Sequence, residues 1–296
     1  MNTDDFLASR FEEHRSHLKA VAYRMLGSLA EADDAVQESW LRLSRTDSRE
    51  IDNLGGWLTT VVGRVCLDML RARTSRREDL LEQRLPDPVI SPEDGGDPEQ
   101  QALVADAVGL ALLVVLESLS PAERLAFVLH DMFAVPFEQI ATIVDRTPST
   151  AKKLASRARQ RVRGTVPLPD PDPSRQRQVV DAFLAAARGG DFEALLSILD
   201  PDVVVRVDAG AVAKGGMWTI TGAAAVAGQM ANFKRFSTVY AAEPVLVNGV
   251  VGLVGRQNGE VRSVLSFFVT DGRIAALDIL SDPDRLAQLV LIPPAE

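Results

Sequence analysis

The chain has 296 residues, 46% hydrophobic and 25% charged, with a net charge of −9. That length predicts two or three domains, and the acidic balance excludes a protein that coats nucleic acid over its whole surface, so any DNA contact must be local. A single cysteine, Cys66, excludes a disulfide framework and fits a reducing compartment, with Cys66 itself expected as a core thiol.

Residues 1–85 carry helical periodicity. Phe11, His14, Leu18, Val21, Ala22, Met25 and Leu26 keep one face up to Gly27. Ala32, Ala35, Val36, Trp40, Leu41 and Leu43 mark a second helix, whose opposite side shows Glu31, Asp33, Asp34, Gln37 and Glu38. Asn53 is placed to cap a third helix bearing Trp57, Leu58, Val61, Val62, Val65, Leu67 and Leu70, which ends in Arg71, Arg73, Arg76 and Arg77. One helix is acidic outward and another basic outward. Together they suit a module touching a basic protein surface and a nucleic acid. Residues 86–100 hold four prolines, two glycines and five carboxylates with no basic residue, and are predicted to be an extended or disordered linker.

Residues 101–163 form a second helical part. Ser120-Pro121-Ala122-Glu123 reads as a capping box with Pro at the first helical position. From 137 to 163, two helices meet at a tight turn, Asp145-Arg146. Thr147 and Pro148 are suited to start the second helix. On that helix Ala151, Leu154, Ala155, Ala158 and Val162 form an apolar stripe, and Lys152, Lys153, Arg157, Arg159, Arg161 and Arg163 lie off it. A basic second helix in an acidic chain suggests a helix-turn-helix that enters a DNA major groove. Residues 164–174, GTVPLPDPDPS, are predicted to be a semi-rigid extended spacer.

These blocks resemble a family. AYRMLGS (22–28), EADDAVQESWLRL (31–43), GGWLTTVVGRVCLDMLR (55–71), SPAERLAFVLHDMF (120–133) and the helix-turn-helix occur in the order of an extracytoplasmic-function sigma factor. Asp145 stands where the family's turn usually has Gly, and Asp tolerates left-handed geometry. The resemblance implies RNA polymerase core and promoter DNA as partners. It implies that Asp33, Asp34, Gln37 and Glu38 bind the polymerase clamp. Asn53, Trp57, Arg64, Arg71 and Arg73 would read and melt the −10 element, where a basic track holds the released strand. Ser149, Thr150, Lys152, Lys153, Ser156 and Arg157 would read the −35 element.

Residues 175–296 follow a different pattern. Helices are predicted at 176–188, 191–199 and 221–236, and strands at 202–208, 239–247, 250–256, 260–269 and 273–280, with Asn248-Gly249 and Asp271-Gly272 as hairpin turns. The order resembles SnoaL-like domains, which some extracytoplasmic-function sigma factors carry at the C-terminus. Asp282-Pro283-Asp284-Arg285-Leu286 resembles their Asn-Pro-Asp-Lys-Leu signature, with Asp282 for Asn and Arg285 for Lys. Asp208-Ala209-Gly210-Ala211 only faintly keeps their Asp-Gly-Gly-Gly-Lys block, with Lys214 displaced. The expected fold class is thus multidomain: two all-α sigma domains (1–85 and 101–163, the second with the helix-turn-helix), then an α+β SnoaL-like cone with a curved antiparallel sheet (175–296).

Relatives of that last domain include cyclases and isomerases, so Asp208, Trp218 and Asp278 are its candidate pocket residues. No histidine follows His130, which excludes a His–Asp pair there. His14, His17 and His130 give no metal constellation, and the chain has no Gly-rich phosphate loop or nucleophile arrangement. No catalytic residue, metal or cofactor is predicted. The expected function is promoter recognition and transcription initiation, regulated in cis by the C-terminal domain. The alternatives are a regulator whose third domain senses a small-molecule ligand, and a SnoaL-type enzyme fused to a DNA-binding module. No apolar run reaches membrane-span length and the N-terminus has no apolar signal core, so a soluble cytoplasmic protein without a membrane partner is expected.

Overall fold

The computed structural model describes residues 3–46, 51–75, 84–92, 109–165, 170, 172–210 and 216–289. They fall into two compact units. The first takes its described residues from 3–75 and 113–165, the second from 84–92, 109–112, 170 and 172–289. No helix among the described residues is long and apolar enough to cross a membrane.

The first unit is helical. α1 (Thr3–Leu26), α2 (Leu29–Leu43) and α3 (Leu54–Ser75) pack on Phe11, Leu18, Val21, Met25, Ala35, Leu58, Val62 and Leu67, all nearly inaccessible. Gly27 (φ 73) ends α1, and Ser28 caps α2 by accepting the Glu31 amide. Cys66 is buried, and desolvation pushes its thiol up to about 12. Leu41 departs from the expected inward pattern: it is 41% exposed, on the solvent side of α2.

After α4 (Gly109–Glu117), the capping box forms as predicted. Ser120 Oγ accepts the Glu123 amide, and Glu123 accepts from the Ser120 amide at 3.2 Å. α5 (Pro121–Phe127) continues as one π turn (Val128–Met132), followed by α6 (Phe137–Val144) and α7 (Pro148–Thr165). Asp145 takes φ 53, ψ 51 at the turn between α6 and α7. Ala151, Ala155 and Ala158 of the α7 stripe are fully buried, while Leu154 and Val162 are half-buried.

The second unit is α+β. α8 (Pro173–Gly189) and α9 (Phe192–Ile198) precede β2 (Leu199–Asp208) and β3 (Met217–Thr221). Then come α10 (Ala223–Ala227), α11 (Met230–Val239), β4 (Ala241–Val247), β5 (Val250–Gln257), β6 (Glu260–Thr270), β7 (Arg273–Leu280) and α12 (Pro283–Gln288). With β1 (Ile90–Ser91), the sheet order among the described residues is β1-β4-β5-β6-β7-β2-β3, antiparallel except for the parallel β2–β7 pair. The hairpin turns carry paired positive φ at Asn248-Gly249 (53, 78) and Asp271-Gly272 (51, 72), and also at Asn258-Gly259 (55, 82). On the helix-covered face, Phe183, Leu195, Val205, Phe233, Leu253, Phe267 and Leu277 fill the core. Ile90, Val247, Val254, Val264, Leu280 and Leu286 form a second cluster on the other face.

Three local expectations are corrected. The helix expected at 221–236 is present as α10 and α11 but starts after Thr221, the last residue of β3: MWTIT alternates against β2 and Gly222 (φ 93) ends it by donating to Val203 O. The described part of the supposed 86–100 linker, 86–92, is not free chain: Pro86, Val89, Ile90 and Ser91 are buried in the second unit, as is Leu85 before them, and β1 pairs with β4. Its remaining residues, 93–100, lie outside the described residues. Of the supposed spacer 164–174, residues 166–169 and 171 lie outside the described residues, and the others are held. α7 runs through Thr165, the Asp170 amide donates to Val269 O at 2.9 Å, and Asp172 caps α8.

Candidate functional site

Three surfaces arise from this scaffold. On α2, packing of Ala32, Ala35 and Val36 inward turns Asp33, Asp34 and Gln37 to solvent, with Glu38 half-buried beside them. Asp33 pairs with Lys19 at 2.9 Å and Glu38 with Arg42 at 2.9 Å, both at the surface, where such pairs contribute little. The face stays acidic, with Leu41 exposed among it.

On α7 the helix geometry sorts the basic residues. Ser149, Lys152, Lys153, Ser156 and Arg157 are exposed and Thr150 half-buried, where it donates its amide to Thr147 Oγ1 at 3.3 Å. Arg159 is tied to Asp131 at 2.6 Å, and Arg161 donates to Ser118 O at 3.3 Å near Glu123. The latter two arginines brace the helix-turn-helix against its support. Lys152, Lys153 and Arg157 project outward as a positive face.

On α3 the placement is mixed. The Asn53 side chain caps the helix, its Oδ1 accepting the Gly56 amide at 3.0 Å. Trp57 is half-buried and Arg71 exposed, paired loosely with Asp68 at 3.7 Å. Arg73 is exposed but engaged within its own unit. It donates to Glu31 at 3.1 Å and to Leu26 O at 3.1 Å, capping the C-terminus of α1. Arg64 donates to Thr142 O of α6 at 3.1 Å. A Cβ on Gly63 would meet Leu129 at 3.3 Å and Ile143 at 3.5 Å, so this glycine lets the helix-turn-helix part lie directly on α3. Arg124 completes the closure. It is 3% exposed, and its Nε and Nη2 donate to Arg24 O at 3.2 Å, while burial pulls its pKa down to about 10.

The second unit holds a site that the sequence indicated only in part. Asp208 is 1% exposed at the end of β2. Its carboxylate accepts from the Leu85 amide at 2.9 Å, the Gly210 amide at 3.2 Å and Arg285 Nη1 at 2.6 Å. The other guanidinium nitrogen donates to Leu85 O at 2.7 Å and to Asp87 at 2.5 Å. Asp282 caps α12 through the Asp284 and Arg285 amides, and this sets the direction in which Arg285 leaves the helix. Gly210 (φ +61) could bear no side chain, since a Cβ would fall 2.3 Å from the Asp282 carboxylate. Pro283 opens α12, Asp284 lies in its first turn, and Leu286 is buried in the second cluster. Asn248 fixes the far end of the strap: it donates its amide to Val89 O at 2.8 Å and accepts the Val89 amide at 3.1 Å.

Asp208, Trp218 and Asp278 do not converge on one pocket. Asp278 faces the same side of the sheet as Asp208. There Arg206 grips it at 2.6 and 3.2 Å, and burial raises its pKa against the pull of that arginine. Trp218 pairs in register with Val207 on the opposite, helix-covered face and is 42% exposed. Arg206, Asp87, Leu85 and Asn248 were missed as site residues. Arg206 could have been found by its i,i+2 spacing from Asp208 on one strand face. Among the described residues no cluster could hold a metal ion.

The chain matches the family descriptions Sigma-70 region 2 over residues 10–76 and Sigma-70, region 4 over residues 109–162. It is 34% identical over 296 residues to a probable ECF RNA polymerase sigma factor SigI of Mycobacterium tuberculosis, covering 98% of both chains. It is 37% identical over 288 residues to the ECF RNA polymerase sigma factor SigJ of the same organism, covering 94% of this chain and 92% of that one. The crystal structure of that organism's SigJ superposes with a TM-score of 0.78 at 34% identity, over 96% of this chain and all of the other. The chain therefore belongs to the extracytoplasmic-function RNA polymerase sigma factors, with sigma-70 regions 2 and 4 followed by a SnoaL-like α+β domain.

Proposed function

We propose that the second unit regulates this sigma factor in cis by holding the chain that joins region 2 to region 4, and that it does so without catalysis. The observation that carries this reading is Arg285, one side chain bonded at once to Asp208 of the domain and to Leu85 and Asp87 of the linker. Two X-Pro steps, Leu85-Pro86 and Asp87-Pro88, favour extended backbone before docking, which lowers the entropy cost of the strap. The carboxylates Asp208 and Asp278 are each engaged by an arginine, and apolar side chains fill the helix-covered face. This favours a regulator over a SnoaL-type enzyme or a ligand sensor.

Within this reading Asp33, Asp34, Gln37 and Glu38 bind the polymerase core. Ser149, Lys152, Lys153, Ser156 and Arg157 contact the −35 element. Arg64 and Arg71 follow the −10 strand once region 4 leaves α3. Elements named −35 and −10 lie about 25 base pairs apart, about 85 Å on B-form DNA, whereas packed helices such as α3 and α6 lie about 8–10 Å apart. The first unit must open to read both. Run-off transcription with a chain trimmed before Asp282 tests the proposal: removing Arg285 and the α12 anchor should raise initiation. Initiation equal to that of the full chain refutes it.

A further inference from the structure

The closed first unit is clasped at one aromatic side chain. Phe133, at the end of the π turn of region 4, meets two groups of α1 in region 2. The His17 ring meets it edge-on, with centroids 5.3 Å apart at 87°. The Arg24 guanidinium carbon lies 4.9 Å from its centroid. Arg24 is 4% exposed, so its charge is poorly screened, and its carbonyl is the one gripped by Arg124. His17 and Arg24 are seven residues apart on α1, two turns along one face.

The tautomer of His17 follows from its partner. Thr59 Oγ1 donates its proton to Gly55 O at 2.8 Å, so at 3.2 Å from His17 Nε2 it can only accept. The neutral ring therefore carries its hydrogen on Nε2, and acid adds a proton at Nδ1. The charged or titratable groups acting on His17 are His14 and Arg24 on its own helix. Thr59 from α3 and Phe133 from region 4 are uncharged. On the π turn, Asp131 is occupied by Arg159, and His130 turns its Nδ1 to Val135 O and stacks on Phe137.

We infer that His17, Phe133 and Arg24 form a proton-sensitive clasp between regions 2 and 4, which holds the closed unit while His17 is neutral and loosens when a second cation forms beside Arg24. His17 keeps an exposed edge; partial desolvation first, and then His14 and Arg24, hold it below the ordinary value of 6.5. The closed state thus prefers the neutral ring. Its preference is full above the ordinary histidine range and declines as pH falls through that range, because only the open state then takes up the proton.

The inference rests on the reading that the first unit opens to act, and one experiment separates the two. Spin labels at Ser44→Cys and Gln139→Cys, both exposed positions, report the distance between regions 2 and 4 in the full chain by double electron–electron resonance. Cys66, buried and with its thiol held at about 12, stays unlabelled. From about pH 8 to about pH 5 the long-distance fraction should rise several-fold in the wild-type background. It should stay flat in His17→Gln, which keeps a donor for Thr59 but cannot charge, and should still rise in His14→Gln. A pH-independent distance, or a response kept by His17→Gln, overturns the clasp. Added polymerase core tests the other claim: lengthening with core but not with acid leaves the opening intact and refutes the clasp. A distance fixed under both conditions refutes both.

Discussion

Replacing Arg285 by Ala removes one group that holds two partners. Its side chain is 12% exposed, facing an Asp208 side chain that is 2% exposed and an Asp87 that is 21% exposed. Hydrogen bonds involving a charged group contribute about 1.5–3 kcal/mol each, and two of those lost, to Leu85 O and Asp87, tether the strap directly. Truncating one partner of a buried ion pair costs about 3–5 kcal/mol. Asp208 still accepts from the Leu85 and Gly210 amides, which places the expected loss at the lower end, about 3 kcal/mol. That is roughly a hundredfold in the opening equilibrium of the strap. Hydrogen exchange reads it directly at the Leu85 and Val89 amides, which donate to Asp208 and Asn248; Pro86 and Pro88 have no amide hydrogen. Protection at both should fall about a hundredfold, while Leu253 and Leu277 in the main core keep theirs. Unchanged exchange at Leu85 and Val89 in a folded Arg285→Ala protein would falsify the assignment of Arg285 as the clamp.

Four further outcomes are expected. Lys152→Ala and Arg157→Ala should each weaken promoter binding and lower the salt slope by about 1, whereas Arg159→Ala, whose partner is Asp131, should leave the slope unchanged. Asp34→Lys with Glu38→Lys should reduce capture of polymerase core in a pull-down with helical content intact; normal capture would assign the acidic face of α2 another role. Arg206→Met should cost the second unit about 3–5 kcal/mol in urea unfolding, and adding Asp278→Leu should recover part of that, giving a non-additive cycle. Because burial already raises the Asp278 carboxyl above 3.8, the Arg206→Met protein should gain stability as pH falls toward the acid range; a pH-independent loss contradicts the pairing.

The sequence made the helices of the first unit legible because their signals are local. The Ser120–Glu123 box, the Asn53 cap and the left-handed Asp145 depend on neighbours a few residues away, and each is in place. The hairpins at Asn248-Gly249 and Asp271-Gly272 were equally local. Two things were not legible. Residues 86–92 look like free chain by composition, since proline and acid suppress any periodic pattern. Their burial depends on β4 and α12, about 150–200 positions away in the chain. The pocket reading of Asp208 and Asp278 failed for a related reason: their partners, Arg285 and Arg206, lie 77 and 72 residues away. Each arginine turns a potential acid–base group into part of an ion pair. On α7, composition alone could not separate the outward Lys152, Lys153 and Arg157 from the bracing Arg159 and Arg161, because partner geometry decides which is which.

The second unit governs initiation, on this account, through its hold on the linker. Run-off transcription with core polymerase, comparing the full chain with Arg285→Ala, tests this most directly, because the substitution lies outside the acidic α2 face and the basic α7 face. More transcript from Arg285→Ala at equal protein concentration, moving with the loss of strap protection, is the predicted result. Equal or lower initiation from a protein whose strap has been released would contradict the account.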